Sequence, residues 1–274
     1  MTQVPRSGTE REFRPVKSAY RALDVLEAMS AGPATLSELG RMLDIPKSSL
    51  HGLLRTLTER GWVTTADNDG FRFRLGLRAL QVGARFLDED EVVAQVAPVL
   101  DRLAERTGET VQHARLDGDQ VVYLAKRESV HPVQLISSIG SRLPAHATAL
   151  GKALLAARDD ADVRDLLNPP LPALTPRTIT DWEPLAADLA ATRARGYADD
   201  DGEAAFGLRC FAVTVPVARR RHHSDVPSDA ISISVPAFRL DPEREEELVG
   251  ALLGASAGLG GSALTDRPRP TPGR

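Results

Sequence analysis

A cysteine with a histidine in reach is the first pairing in this chain that could do covalent chemistry. Cys210 is the only cysteine, and His113 and His146 are candidate bases. An imidazole that activates a thiol would make a cysteine-dependent hydrolase. The neighbours argue against it: Leu208, Phe211 and Val213 are apolar, and a lone cysteine among such residues is ordinarily a small buried hydrophobe. Ala149-Leu150-Gly151-Lys152 has the end of a phosphate-binding loop, but that motif needs a glycine where His146 stands. Lys152 is therefore read as structural. His222 and His223 follow Arg219, Arg220 and Arg221, yet adjacent histidines point apart in a strand and no carboxylate stands at ligand spacing. A solvated loop is expected there, with no metal site and no cofactor.

Binding chemistry is better supported than catalysis. Residues 45–61 read IPKSSLHGLLRTLTERG, in which Leu50, Leu53, Leu54 and Leu57 recur at the spacing of one helical face. Lys47, Ser48, Ser49, His51 and Arg55 occupy the first turn and the opposite face, all short or cationic hydrogen-bonding residues. Pro46 suits the first helical position and Gly61 the left-handed position that ends a helix. Taken alone, this is as well read as an amphipathic helix with a solvated face. Its flank shifts the reading: Thr35-Leu36-Ser37-Glu38 has the capping-box pattern that opens a helix through Leu43, two residues before Ile45. Helix, tight turn, helix is the arrangement that seats its second helix in the major groove of DNA.

Other elements must carry that pair. Ala19, Ala22, Leu23, Leu26 and Met29 trace an earlier helix, stopped at Ala31-Gly32-Pro33. Strands at 62–65 and 71–75 flank Asp67-Asn68-Asp69-Gly70, a hairpin signal, with Phe71, Phe73 and Leu75 on one face and Arg72 and Arg74 on the other. This predicts a wing with an arginine edge. Leu77, Leu80, Ala84 and Leu87 then form a helical seam with nothing to cover it inside a small domain, which suits a second copy of the same segment. The acidic run at 88–91 is read as a boundary.

Beyond it the pattern predicts a helix at 91–107, strands at 111–116, 120–125 and 133–138, and a helix from about His146 to Arg158. Further helices are expected at 160–167 and 185–195, strands at 208–218 and 230–236 around a basic tip, and a last helix at 241–253. The fold class is α+β. The domain plan is a disordered arm at 1–15, a winged helix-turn-helix at 16–75, a linker helix at 76–90, a second domain at 91–254 and a disordered tail at 255–274.

Charge follows the same division. Residues 1–87 hold 13 Lys and Arg against 9 Asp and Glu, a balance of +4, and the rest of the chain carries −8. A cationic amino-terminal third suits a phosphate backbone; an acidic remainder does not. One cysteine excludes an internal disulfide framework, and the absence of any long apolar run predicts a cytoplasmic protein with no membrane partner.

Three stretches carry a family resemblance: LSELGRMLDIPKSSLHGLLRTLTERGWV at 36–63, LPAHATALGKALLA at 143–156 and GYADDDGEAAFGLRCFAV at 196–213. Over residues 16–254 the chain resembles the isocitrate-lyase-regulator (IclR) family of bacterial transcription factors. The resemblance implies a linker helix that dimerises and a GAF-like effector domain that often forms tetramers. It also implies operator DNA and a small-molecule effector as partners, the latter an organic acid, an aromatic or a sugar-derived metabolite, with repression ahead of activation. Carried over, the effector site comprises the backbone of Ala149 and Leu150 with Asp200, Cys210, Ser232 and Ser234. Ser232 and Ser234 stand two apart in ISISV, so both hydroxyls share a face, and Ala149 and Leu150 fall in a first helical turn whose N–H groups favour a carboxylate. The chain departs from the family pattern after Cys210, where Pro216 comes two residues late, so the register of that strand against Ser232 stays open. The alternative is a metabolite sensor or cysteine-dependent enzyme whose helical amino terminus docks a protein.

Overall fold

The structure, a computed structural model, describes residues 16–66, 71–131, 138–216 and 226–261. The arm at 1–15, the hairpin turn at 67–70, nearly all of the strand expected at 133–138, most of the basic tip with His222 and His223, and the tail beyond Gly261 lie outside the described residues. The chain divides into two units between Glu89 and Asp90.

In the first unit, α1 (Lys17–Ala28) leads through a short 3-10 turn to β1 (Ala34–Thr35), a two-residue strand absent from the sequence pattern. Next come α2 (Leu36–Met42) and α3 (Lys47–Glu59). The capping box at α2 is complete: the Glu38 amide donates to Thr35 Oγ1 at 3.2 Å and the Thr35 amide to the Glu38 carboxylate at 2.7 Å. Between the helices Asp44 takes a positive φ of 49°, and the Ile45 amide donates back to the Gly40 carbonyl, a Schellman closure built on aspartate in place of glycine. Pro46 is the N-cap, with ψ of 137°, so α3 begins at Lys47 and not at the proline. Gly61 does take the left-handed position after α3, and the Trp62 amide reaches the Leu57 carbonyl.

Leu50, Leu54 and Leu57 are buried with Val25, Leu39 and Val63 in one core, against which Trp62 and Phe73 pack. β2 (Val63–Thr65) and β3 (Arg72–Leu75) form the wing, and β3 lies between β2 and β1. Phe73 is the apolar anchor of β3; Phe71, at 71 % exposed, does not join it. α4 (Leu77–Glu89) follows, and no residue of it is buried.

In the second unit, α5 (Glu91–Thr107) starts at Asp90, whose carboxylate accepts from the Val92 and Val93 amides, and ends at left-handed Gly108. β4 (Thr110–Asp117) and β5 (Gln120–Arg127) make a hairpin, and β6 (Arg142–Pro144) adds an edge strand that the sequence pattern did not mark. A 3-10 turn at Ala145–Ala147 precedes α6 (Ala149–Ala156), so the helix begins three residues later than expected. α7 (Asp160–Leu166), α8 (Trp182–Arg195) and β7 (Ala198–Asp201), a further unexpected strand, lead to β8 (Leu208–Thr214) and β9 (Asp229–Pro236). β8 ends four residues short of the expected 218. α9 (Pro242–Gly261) overruns the expected stop at 253, so 255–261 is helical and not part of a disordered tail.

The described strands of this unit form a mixed-order antiparallel sheet, β6-β5-β4-β9-β8-β7. Alternation sorts its side chains. Val111, Phe211, Ile231, Ile233 and Val235 pack with α5 and α9 in one core. Ala114, Ala212 and Ala230 pack with α6 and α8 in another. The sheet is the middle of three layers, and the smaller side chains on the α6 side leave room for a cavity.

Two buried ionic clusters brace this unit. Lys152 on α6, 1 % exposed, meets Glu203 at 2.5 Å and Asp188 of α8 at 2.9 Å. Arg115 bridges Asp90 and Asp229, and Asp229 also meets His113 at 2.9 Å.

Candidate functional site

The exposed face of α3 is the first candidate. Lys47, Ser48, His51, Gly52 and Arg55 are exposed while Leu50, Leu54 and Leu57 are buried beneath them. A Cβ at Gly52 would meet nothing within 4 Å, so this stretch of helix backbone is open to close approach. Ser49 differs: it is half-buried and accepts from the Arg21 guanidinium of α1 at 3.3 Å, which ties α1 to α3. Arg55 lies along the helix and pairs with Glu59 at 3.0 Å, both side chains well exposed. On the wing Arg74 is exposed. Arg72 donates to the Pro33 carbonyl at 2.6 Å and lies 3.6 Å from Glu38, so it fastens the wing to the entry of α2. Thr35 and Arg72 together hold the Glu38 carboxyl below its usual range, the Thr35 hydrogen bonds contributing most.

The second candidate is a cavity of about 180 Å³ on the α6 face of the sheet. Ala149, Leu150, Asp200, Cys210, Ser232 and Ser234 all line it. The register places them: Asp200 lies opposite Cys210, Cys210 opposite Ser234, and Ala212 opposite Ser232. This fixes the alignment that the late Pro216 left open.

Above this row sits the start of α6. Thr148 caps the helix by accepting from the Gly151 amide at 3.0 Å, and the Ala149 and Leu150 amides occupy the first turn, where no carbonyl lies one turn back. Gly151 is needed for packing: a Cβ there would lie 2.1 Å from the Ala145 carbonyl oxygen, so only glycine lets α6 lie against the preceding turn. That is the physical use of the glycine in the phosphate-loop-like run, and Lys152 beside it is spent on Glu203 and Asp188.

Burial raises the Asp200 carboxyl to about 7, against the pull of the Glu203 amide and of Lys152. Its Oδ1 accepts from the Glu203 amide at 2.6 Å and the Ala204 amide at 3.3 Å. Burial also pushes the Cys210 thiol well up, helped by nearby Asp200, and its sulfur donates to Ser234 at 3.1 Å. A thiol held protonated is a poor nucleophile. His113 spends Nε2 on Asp229 and His146 spends Nε2 on the Pro172 carbonyl, so neither expected base is engaged with Cys210. Among the described residues no cluster of His, Cys, Asp and Glu suits a metal.

Three polar residues of the cavity escaped the sequence reading, Gln112 on β4, Tyr123 on β5 and Thr148 at the N-cap of α6. Nothing in the sequence sets Gln112 apart from Thr110, His113 and Arg115 on the same strand. Tyr123 resembles any core aromatic, and burial pushes its phenol up.

The family model described as the IclR helix-turn-helix domain matches residues 18–67, and that of the bacterial transcriptional regulator IclR C-terminal domain matches 84–259. The chain belongs to the IclR family. This IclR-family chain is 36 % identical over 254 residues to the transcriptional repressor IclR of Escherichia coli (strain K12), covering 91 % of this chain and 90 % of that one. An IclR transcriptional regulator from Alicyclobacillus acidocaldarius superposes with a TM-score of 0.79 at 28 % identity, over 91 % of this chain and 100 % of that one. An IclR homologue from Microbacterium hydrocarbonoxydans, complexed with 4-hydroxybenzoate, gives 0.73 at 27 % identity, over 90 % and 99 %. The IclR-family chain is a DNA-binding transcriptional regulator.

Proposed function

We propose that this regulator is a repressor that grips operator DNA with Lys47, Ser48, His51 and Arg55 of α3 and with Arg74 of the wing. Ser49 and Arg72, also expected at the DNA, act first by bracing α1 and the wing behind α3. The observation that carries this reading is the two-sided α3, cationic and open on one face and leucine-backed on the other. Two copies joined along α4, as a dimer or within a tetramer, present two such helices to one duplex. A small carboxylate held by Ala149, Leu150, Asp200, Cys210, Ser232 and Ser234 modulates that grip; the 4-hydroxybenzoate complex of a relative supports this class of ligand. The residues are those of a binding site with no catalytic step, and the protein works in the cytoplasm; no described helix is long and apolar enough to cross a membrane.

A gel shift with the DNA upstream of the protein's own gene tests the reading. A retarded complex that a scrambled duplex fails to compete is expected. Equal binding to both duplexes would refute operator recognition.

A further inference from the structure

The polar floor of the cavity is a chain of hydrogen bonds with a fixed direction. The Cys210 thiol donates to Ser234 Oγ at 3.1 Å, the Ser234 hydroxyl donates to Gln112 Oε1 at 3.2 Å, and the Ser232 hydroxyl donates to the same oxygen at 3.5 Å. Gln112 lies opposite Ser232 in the β4–β9 pairing and is 1 % exposed. Its amide oxygen has two lone pairs, enough for both serines. A hydroxyl has a single proton. Once that proton is committed to Gln112, each serine turns only lone pairs toward the cavity.

The two ends of the cavity therefore differ in polarity. At the α6 end the Ala149 and Leu150 amides can donate, and the helix start favours negative charge. At the sheet end the oxygens of Ser232 and Ser234 accept, beside Tyr123 and beside Asp200, whose Oδ1 already takes the Glu203 and Ala204 amides. A ligand placed the other way round would have to turn the serine protons away from Gln112. That would cost the buried Gln112 oxygen both serine hydrogen bonds, a loss that outweighs one exchanged hydrogen bond.

We infer that Gln112 is a specificity-determining positioning residue: by holding both serine protons it makes the cavity floor an acceptor. The effector is then a small carboxylate whose far end bears a hydrogen-bond donor, a hydroxyl or an amine. This rests on the reading of the cavity as the effector site. The cavity volume equals the liquid volume of roughly six water molecules, so the ligand is compact.

Matched probes test it on the full chain, by thermal shift and calorimetry: 4-hydroxybutyrate against succinate, and 4-hydroxybenzoate against terephthalate. The wild type is expected to prefer the hydroxy member of at least one pair by about tenfold or more, the weight of one unpaired hydrogen bond. Gln112→Met keeps the volume and removes the acceptor; it should free the serine protons and erase or invert that preference. Should Gln112→Met fail to fold, the double change Ser232→Ala with Ser234→Ala removes the acceptors instead and should abolish the preference. If the wild type binds both members of each pair equally, or Gln112→Met retains the full preference, the role given to Gln112 is wrong while the effector site stands. If no probe of either kind binds the wild type, the reading of the cavity as a small-carboxylate site falls with it.

Discussion

Burial holds the Asp200 carboxyl well above the ordinary carboxylate range, and this has a consequence for stability. A carboxyl raised to about 7 in the fold, against an ordinary value near 3.8, binds more protons folded than unfolded between those two values. Its contribution is present at the acidic end of that window and is lost as pH rises through 7. Chemical denaturation is expected to show stability falling from pH 5 to pH 8. Asp200→Asn should flatten the slope, leaving the part due to Glu203, which burial also raises. On the face of α3 proposed to meet DNA, Arg55 begins paired to Glu59, but both are exposed and such a pair is worth about 1 kcal/mol or less. Glu59 therefore cannot hold Arg55 back from a guanine. Arg55→Ala is expected to cost about 1–3 kcal/mol of operator affinity and to relax preference at one base pair per half-site, read by gel shift on a panel of single-base variants.

Among the elements, α6 is fixed at both ends of its first turns. Gly151 seats it on the preceding turn, and Lys152 binds it to α8 and to Glu203 just after β7, the strand that carries Asp200. Glu203 and Asp188 together outweigh the desolvation of the ammonium, so the lysine is held charged. Lys152→Met takes the ammonium from buried Glu203 and leaves Asp188 with Arg195 at 3.7 Å, and is expected to cost about 3–5 kcal/mol in urea unfolding. The first helix pair was legible because its signals are local: Thr35 with Glu38, and leucines at helical spacing. The cavity residues Ser232 and Ser234 were legible by alternation and Cys210 through the family motif. What escaped was decided by partners distant in sequence. β1, β6 and β7 are two to four residues long and exist because β3, β5 and β8 offer them a ladder. The left-handed position before α3 was invisible because aspartate, not glycine, fills it. Ser49 looked free for DNA because nothing local announces Arg21, twenty-eight residues away.

At the scale of the molecule, α4 is a 13-residue helix with no buried residue. Leu77, Leu80, Val82 and Phe86 are each more than half exposed. Leu77 and Leu80 lie on one side of the helix and Val82 and Phe86 on the other, and apolar surface of this extent calls for cover, which the proposed pairing with a second α4 would supply. Leu80→Asp combined with Phe86→Asp is expected to lower the oligomeric state seen by light scattering and to weaken operator binding.

The last helix has a practical bearing. Its final turns look expendable, a glycine- and alanine-rich run where an experimenter would naturally trim. Yet Ser256 donates to the Thr214 carbonyl at 2.9 Å and Gly260 lies against Pro216, so this run clasps the end of β8. A recombinant product cut after Gly254 is expected to melt at a lower temperature than one cut after Gly261. The difference should grow under limited proteolysis near residue 216, where the clasp is lost.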